Sequence, residues 1–165
     1  MSEYTHITHT FEPIFDKHSK ILILGSLPSV KSREQGFYYG HPRNRFWKVL
    51  AAVTEMPLPQ TVGEKEAFLI AAHIAVWDVI QQCDIIGSSD ASIKNVTPTD
   101  IQKILGECDI GAIFANGSTA ARLYDKFQKP ITERDIITLP STSPANAAWS
   151  EQRLIEKWSC IKNYL

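Results

Sequence analysis

The stretch Gly36-Phe37-Tyr38-Tyr39-Gly40-His41-Pro42-Arg43-Asn44-Arg45-Phe46-Trp47 concentrates the residues able to do chemistry in this chain. Aromatic side chains stack on nucleic-acid bases, and Arg and Lys hold phosphates. Gly and Pro favour a loop over a packed helix for the aromatic pair. Phe46 and Trp47 read as core aromatics. Tyr38, Tyr39 and His41, set among turn residues, read as well as a site as they do as packing. Between Lys17 and Lys48 lie seven Lys or Arg and one acid, Glu34, a segment of +6 in a chain whose net charge is −1. A local basic face suits phosphate contacts without a high overall pI.

These residues need a frame. The chain has 165 residues, 44% of them hydrophobic and 21% charged, which fits one ordinary domain spanning residues 1–165. No apolar run approaches the length of a membrane span, and the N-terminus lacks the pattern of an export signal. Cys83, Cys108 and Cys160 are scattered and form no metal-binding spacing. A reduced, cytoplasmic protein is expected, monomeric and with no metal, cofactor or membrane partner. His6 and His9 are read as part of a mobile N-terminal segment.

Four short apolar runs, Lys20–Leu24, Ile74–Trp77, Ile110–Ala115 and Asp135–Leu139, predict strands buried on both faces. Helical patterns separate them: Arg45–Glu55, Gly63–Ala72, a helix opened by Thr97-Pro98-Thr99-Asp100 and running through Leu105, Ser118–Phe127, and a last helix from about Ser150. The alternation predicts an α/β fold, a short, mainly parallel four-stranded sheet between helical layers (α/β/α). Ligands of such sheets lie beyond the carboxyl ends of the strands. Those ends are Gly25-Ser26-Leu27-Pro28, Asp78, Asn116-Gly117 and Pro140 to Asn146. Asp78 either lines a pocket or caps a turn, and the residues do not choose between the two.

Gly25-Ser26-Leu27-Pro28-Ser29-Val30-Lys31-Ser32 is one residue from a phosphate-binding P-loop. Val30 replaces the second Gly, and Pro28 removes a backbone donor. A P-loop nucleotide-binding protein is therefore the weaker reading.

Taken together, the loops resemble the uracil-DNA glycosylase superfamily, closest to its mismatch-specific uracil glycosylases and its hypoxanthine-DNA glycosylases. His41-Pro42-Arg43-Asn44-Arg45-Phe46-Trp47 with the leading aromatic pair resembles the first motif region, and Leu139-Pro140-Ser141-Thr142-Ser143-Pro144-Ala145-Asn146 the second. Where the uracil-directed enzymes carry a water-positioning Asn in Gly-x-Asn-Pro-Gly, this chain has Leu27, and Ser29 replaces the final Gly. The apolar residue is similar to the hypoxanthine-directed family, and the resemblance assigns catalysis to Asn44. On the residues alone, Asn44 reads equally as a helix N-cap.

The resemblance further implies a monofunctional glycosylase that flips hypoxanthine out of DNA and hydrolyses its glycosidic bond. It places Ser26, Leu27, Tyr39, Asn116 and Ser141 at the base, with Tyr39 stacking on it. Lys31, Ser32, Arg43, Arg45, Ser143, Pro144, Ala145 and Asn146 are placed on the DNA, the last four in the loop that enters the gap left by the flipped base. Tyr39 as a surface residue, Asn116 as a turn residue and Ser143–Asn146 as an ordinary Pro turn are the competing readings. A mispaired-uracil glycosylase and a catalytically silent damaged-DNA binder remain alternatives.

Overall fold

The computed structural model describes residues 3–165. Its frame is a parallel sheet of four strands in the order β3 (Ile74–Asp78), β2 (Ile21–Gly25), β6 (Ala112–Asn116), β7 (Ile136–Leu139). The four apolar runs form these strands, as their composition predicts. β2 has every residue buried, as its unbroken apolar run requires. β3 is an edge strand of this sheet and is also fully buried. Ile14 covers it, exchanging two backbone hydrogen bonds with Val76, at 3.0 and 2.9 Å. Helix α3 (Val62–Ala72) packs against β3, and α5 (Ser118–Phe127), which the short α6 (Lys129–Thr132) follows, against β6 and β7. Helix α2 (Phe46–Thr54) packs on α7 (Glu151–Trp158). The α/β architecture is the expected one. No helix among the described residues is long and apolar enough to cross a membrane.

Local chemistry sets the helix ends. Thr61 and Glu64 form a reciprocal capping box at the start of α3. Ser150 caps α7 by accepting from Arg153 N. The apolar stripe of α7 continues into a 3-10 segment, Ser159–Tyr164, so Leu154, Trp158 and Ile161 are all buried.

A second, antiparallel sheet was not foreseen: β1 (Thr5–Thr8), β4 (Ile80–Ile85) and β5 (Lys94–Pro98), in the order β1-β4-β5. Two expectations change with it. The N-terminal segment is anchored: β1 pairs with β4 from Thr5↔Ile85 to Thr8↔Gln82, and His9 is buried. Thr97 and Pro98 end a strand and do not open a helix. Pro98 faces Ile80 at the end of the edge strand β5, a place that tolerates its missing donor. The helix that follows, α4, is confined to Gln102–Leu105.

Candidate active site

The carboxyl ends of β2, β3, β6 and β7 open into one cavity of about 890 Å³. It gathers Ser26, Leu27, Ser32, Tyr39, Asn44, Asn116, Ser141, Ser143, Ala145 and Asn146 from five separate stretches of chain. Lys31, Arg43, Arg45 and Pro144 do not line it. Lys31 and Arg43 are exposed, Arg45 and Pro144 half-buried.

Two glycines shape the wall. Gly117, at φ 98°, turns β6 into α5, and a Cβ there would stand 3.1 Å from Ser141 Cβ. A Cβ on Gly25 would meet Asp78 Oδ1 at 2.4 Å and the Tyr39 hydroxyl at 2.9 Å. The backbone at the end of β2 thus passes directly against two polar side chains of the site.

Asn44 stands one residue before Arg45, which takes the N-cap position of α2. Its Oδ1 accepts from Phe46 N at 2.9 Å, the first residue of α2, and from Thr142 Oγ1 at 2.8 Å. Both bonds use the oxygen. The amide is therefore oriented, and Nδ2 has no protein partner among the described residues. Thr142 is the hub of this network and is fully buried. Its hydroxyl also accepts from Asn116 Nδ2 at 3.0 Å, its N–H donates to Asn116 Oδ1 at 3.0 Å, and its carbonyl accepts from Arg45 N at 3.1 Å. Asn116, expected at the base, has its oxygen and an amide hydrogen taken up by Thr142. In this structure it ties β6 to the second motif.

Tyr39 adopts φ 52°, in the left-handed region that non-glycine residues rarely enter. This conformation lays its ring on Phe46, with centroids 3.8 Å apart and planes at 19°. Its hydroxyl is buried without a hydrogen-bond partner among the described residues. Burial pushes the phenol well above its ordinary range, and the Asp78 charge adds to this. The Asn116 side chain approaches the hydroxyl and pulls the other way, without the geometry of a hydrogen bond. Tyr38, by contrast, is a core residue, donating its hydroxyl to Glu12 O at 2.8 Å. His41 Nδ1 accepts from Arg43 N at 3.0 Å and holds the turn before Asn44.

Two residues assigned to phosphate contact do other things. Arg45 directs its guanidinium into the second motif, where it donates to the carbonyls of Ser143 at 2.9 Å, Asn146 at 3.2 Å, Thr142 at 3.4 Å, and Trp149. It clamps the loop; a half-buried guanidinium held by four carbonyls is not free for DNA. Ser32 is buried, and its hydroxyl accepts from Gly40 N at 2.9 Å, which anchors the aromatic loop to α1 (Val30–Gln35). Lys31 lies 3.6 Å from Glu34 in an exposed pair, worth little in water. Within the loop, Asn146 Nδ2 donates to Ser141 O, Ser141 Oγ accepts from Ser143 N, and Ser143 Oγ accepts from Ala145 N. These local bonds preform the turn, leaving Ala145 exposed. Trp158 Nε1 supports its base by donating to Pro140 O at 2.9 Å.

The sequence reading missed Thr142, His9 and the burial of Asp78. Thr142 stood within the second motif between two chosen serines, so its position was a usable signal. His9 carried none. Its N–H donates to Gln81 O at 2.7 Å just past the β1–β4 pairing, and Nε2 reaches Asp78 Oδ2 at 2.8 Å.

Comparison with known proteins adds four findings. Residues 12–163 match the family model described as Uracil DNA glycosylase superfamily. A relative from Methanosarcina acetivorans named hypoxanthine DNA glycosylase is 30% identical, over 94% of this chain and 98% of its own. One of the same name from Methanosarcina barkeri is 37% identical over 52% of this chain and 54% of its own. The solution NMR structure of a provisionally named uracil DNA glycosylase from Methanosarcina acetivorans superposes with a TM-score of 0.78, at 29% identity, covering 92% of this chain and 93% of that one.

Proposed function

The chain belongs to the uracil DNA glycosylase superfamily, and from that premise we propose that it is a DNA repair glycosylase releasing hypoxanthine from deoxyinosine. The observation that carries the reading is the oriented amide of Asn44, whose Nδ2 has no partner among the described residues, in a residue that lines the same cavity as Tyr39. The full-length relative's name supports hypoxanthine as the base.

A base inside a duplex is out of reach, so the nucleotide flips into the cavity. There the ring stacks on Tyr39, which Phe46 backs from behind. The bond between C1′ and the base nitrogen breaks, and its electron pair leaves with the base. Water adds to C1′, and one of its protons ends on the departing base. Asn44 contributes a donor, because its oxygen is engaged. A donor suits the negative charge growing on the base, or the lone pair of the attacking water, and not proton abstraction. The 143–146 loop fills the gap in the stack. The product is an intact strand with an abasic site. Lys157, exposed at the cavity edge, is the lysine that a strand-cutting enzyme would implicate.

Duplexes carrying hypoxanthine, uracil or xanthine, incubated in chelator and then treated with alkali, test this. Hypoxanthine is expected to be released faster than uracil, with cleavage only after alkali. Uracil preferred over hypoxanthine would restore the mispaired-uracil reading, and cutting without alkali would point to a lysine nucleophile.

Tyr39→Ala is expected to weaken single-turnover release by roughly 1–3 kcal/mol, the usual worth of a base-stacking aromatic. Tyr39→Phe retains the ring and removes a hydroxyl that has no hydrogen-bond partner among the described residues, so it stays near the parent rate. A Phe variant as slow as Ala would assign the role to the hydroxyl.

Phosphate contacts give binding a salt dependence of about 0.9 in log–log slope per phosphate neutralised. Arg43→Gln, at an exposed position beside the motif, is expected to lower that slope by about one contact's worth. Titrations at several salt concentrations would measure it, and an unchanged slope would move the DNA face elsewhere.

A further inference from the structure

Asp78 forms part of the cavity wall and has no task in the reading above. It ends β3 and is 3% exposed. Its Oδ2 accepts from His9 Nε2 at 2.8 Å, and its Oδ1 receives no hydrogen bond from the described residues. Oδ1 stands against the Gly25 backbone, beside the Tyr39 hydroxyl. Oδ1 is not among the wholly buried unpaired atoms, so it keeps access to the cavity and is open to a donor that enters there.

His9 fixes which oxygen remains. Its backbone is held on both sides by Gln81, through N–H to Gln81 O at 2.7 Å and through Gln81 Nε2 to His9 O at 3.1 Å. Its ring lies 4.6 Å from Phe11 and 6.0 Å from Tyr38, centroid to centroid. The imidazole is locked, so the carboxylate it holds is locked too.

We propose that Asp78 Oδ1 is the acceptor for the ring N–H of the flipped deaminated base, with His9 as the positioning residue that aims it. This rests on the glycosylase reading above. Deamination changes one ring nitrogen in a way a carboxylate can read. Adenine N1 is a lone pair, whereas hypoxanthine N1 carries a hydrogen. Cytosine and uracil differ in the same sense at N3. A carboxylate oxygen accepts and cannot donate, so it attracts the deaminated base and repels its parent. Guanine also carries N1–H, and its exclusion needs a separate contact at the 2-amino group.

The test compares single-turnover release of hypoxanthine and 1-methylhypoxanthine from otherwise identical duplexes. The parent protein is expected to disfavour the methylated base by on the order of 10⁴-fold, as sites built around a substrate N–H do. Asp78→Ala removes the acceptor and opens space for the methyl group. Hypoxanthine release then falls steeply, release of the methylated base does not, and the ratio collapses toward one. Asp78→Asn preserves shape: His9 Nε2–H holds the amide oxygen, and the NH₂ faces the base, so hypoxanthine release falls in a protein that still melts like the parent. His9→Phe, which keeps the carboxylate but not its aim, loses part of the ratio. If folded Asp78→Asn releases hypoxanthine at the parent rate, or if folded Asp78→Ala slows both bases equally, the inference is overturned and the pair is structural. If the parent protein releases no hypoxanthine, the glycosylase reading falls, and this inference with it.

Discussion

Asn44→Ala is expected to slow hypoxanthine release by about two to three orders of magnitude, the usual consequence of deleting one preorganised donor. Duplex binding persists, because the basic face is untouched. The alanine also leaves the buried Thr142 hydroxyl without its acceptor, at roughly 1–3 kcal/mol. A loss of activity alone would therefore be ambiguous. Asn44→Asp separates the two effects. It retains the oxygen that accepts from Phe46 N and Thr142 Oγ1 and replaces the free Nδ2 by an acceptor. The expected result is a melting temperature near the parent's with release as slow as in Asn44→Ala, measured in single turnover with enzyme in excess. An active Asn44→Asp variant would reduce Asn44 to a cap that orders the loop.

Arg45→Met is the second large effect. The guanidinium holds carbonyls of Thr142, Ser143, Asn146 and Trp149, so its removal leaves several acceptors unsatisfied around a half-buried position. A loss of stability on the order of 3 kcal/mol is expected from charged hydrogen bonds of this kind. In a chain of this length that lowers the melting temperature by roughly 6–12 °C. Release from duplexes falls with it, since the 143–146 loop and the Asn44–Thr142 contact share the clamped segment. The salt slope separates this clamp from a phosphate ligand: Arg43→Gln lowers the slope and Arg45→Gln leaves it unchanged. A lowered slope in folded Arg45→Gln would return this side chain to the DNA.

Much of this was legible in the chain itself, and the reasons differ by element. The runs Ile21–Leu24 and Ile74–Trp77 are continuous and apolar, which only a doubly covered strand accommodates in so few residues. The helix over Ser118–Phe127 follows a glycine and carries a one-sided apolar pattern. β1, β4 and β5 were illegible because they are short, half-exposed and mixed in polarity, and β4 is interrupted by register shifts at Gln82. Their stability comes from each other and from the core beneath, which no local pattern encodes. Thr97 and Pro98 carry the residue types of a helix start, and pairing with β4 overrode them.

The site divides along the same line. Residue type and order alone determined the α/β frame and the placement of the site at the strand ends, because these depend on local composition and on the alternation of elements; the choice of Asn44, Tyr39 and the second motif rested on the resemblance of the loops to a known family. What each polar atom is free to do was decided by contacts across the chain. Asn44 and Thr142 are 98 residues apart, Arg45 and Ser143 also 98, and His9 and Asp78 69. Those contacts turned Arg45 from a phosphate ligand into a clamp, occupied Asn116, oriented the amide of Asn44, and brought a histidine from just past the first strand against Asp78 of the cavity wall. A sequence states which donors and acceptors exist. Which remain unpaired at the cavity follows only from the packing that satisfies the others.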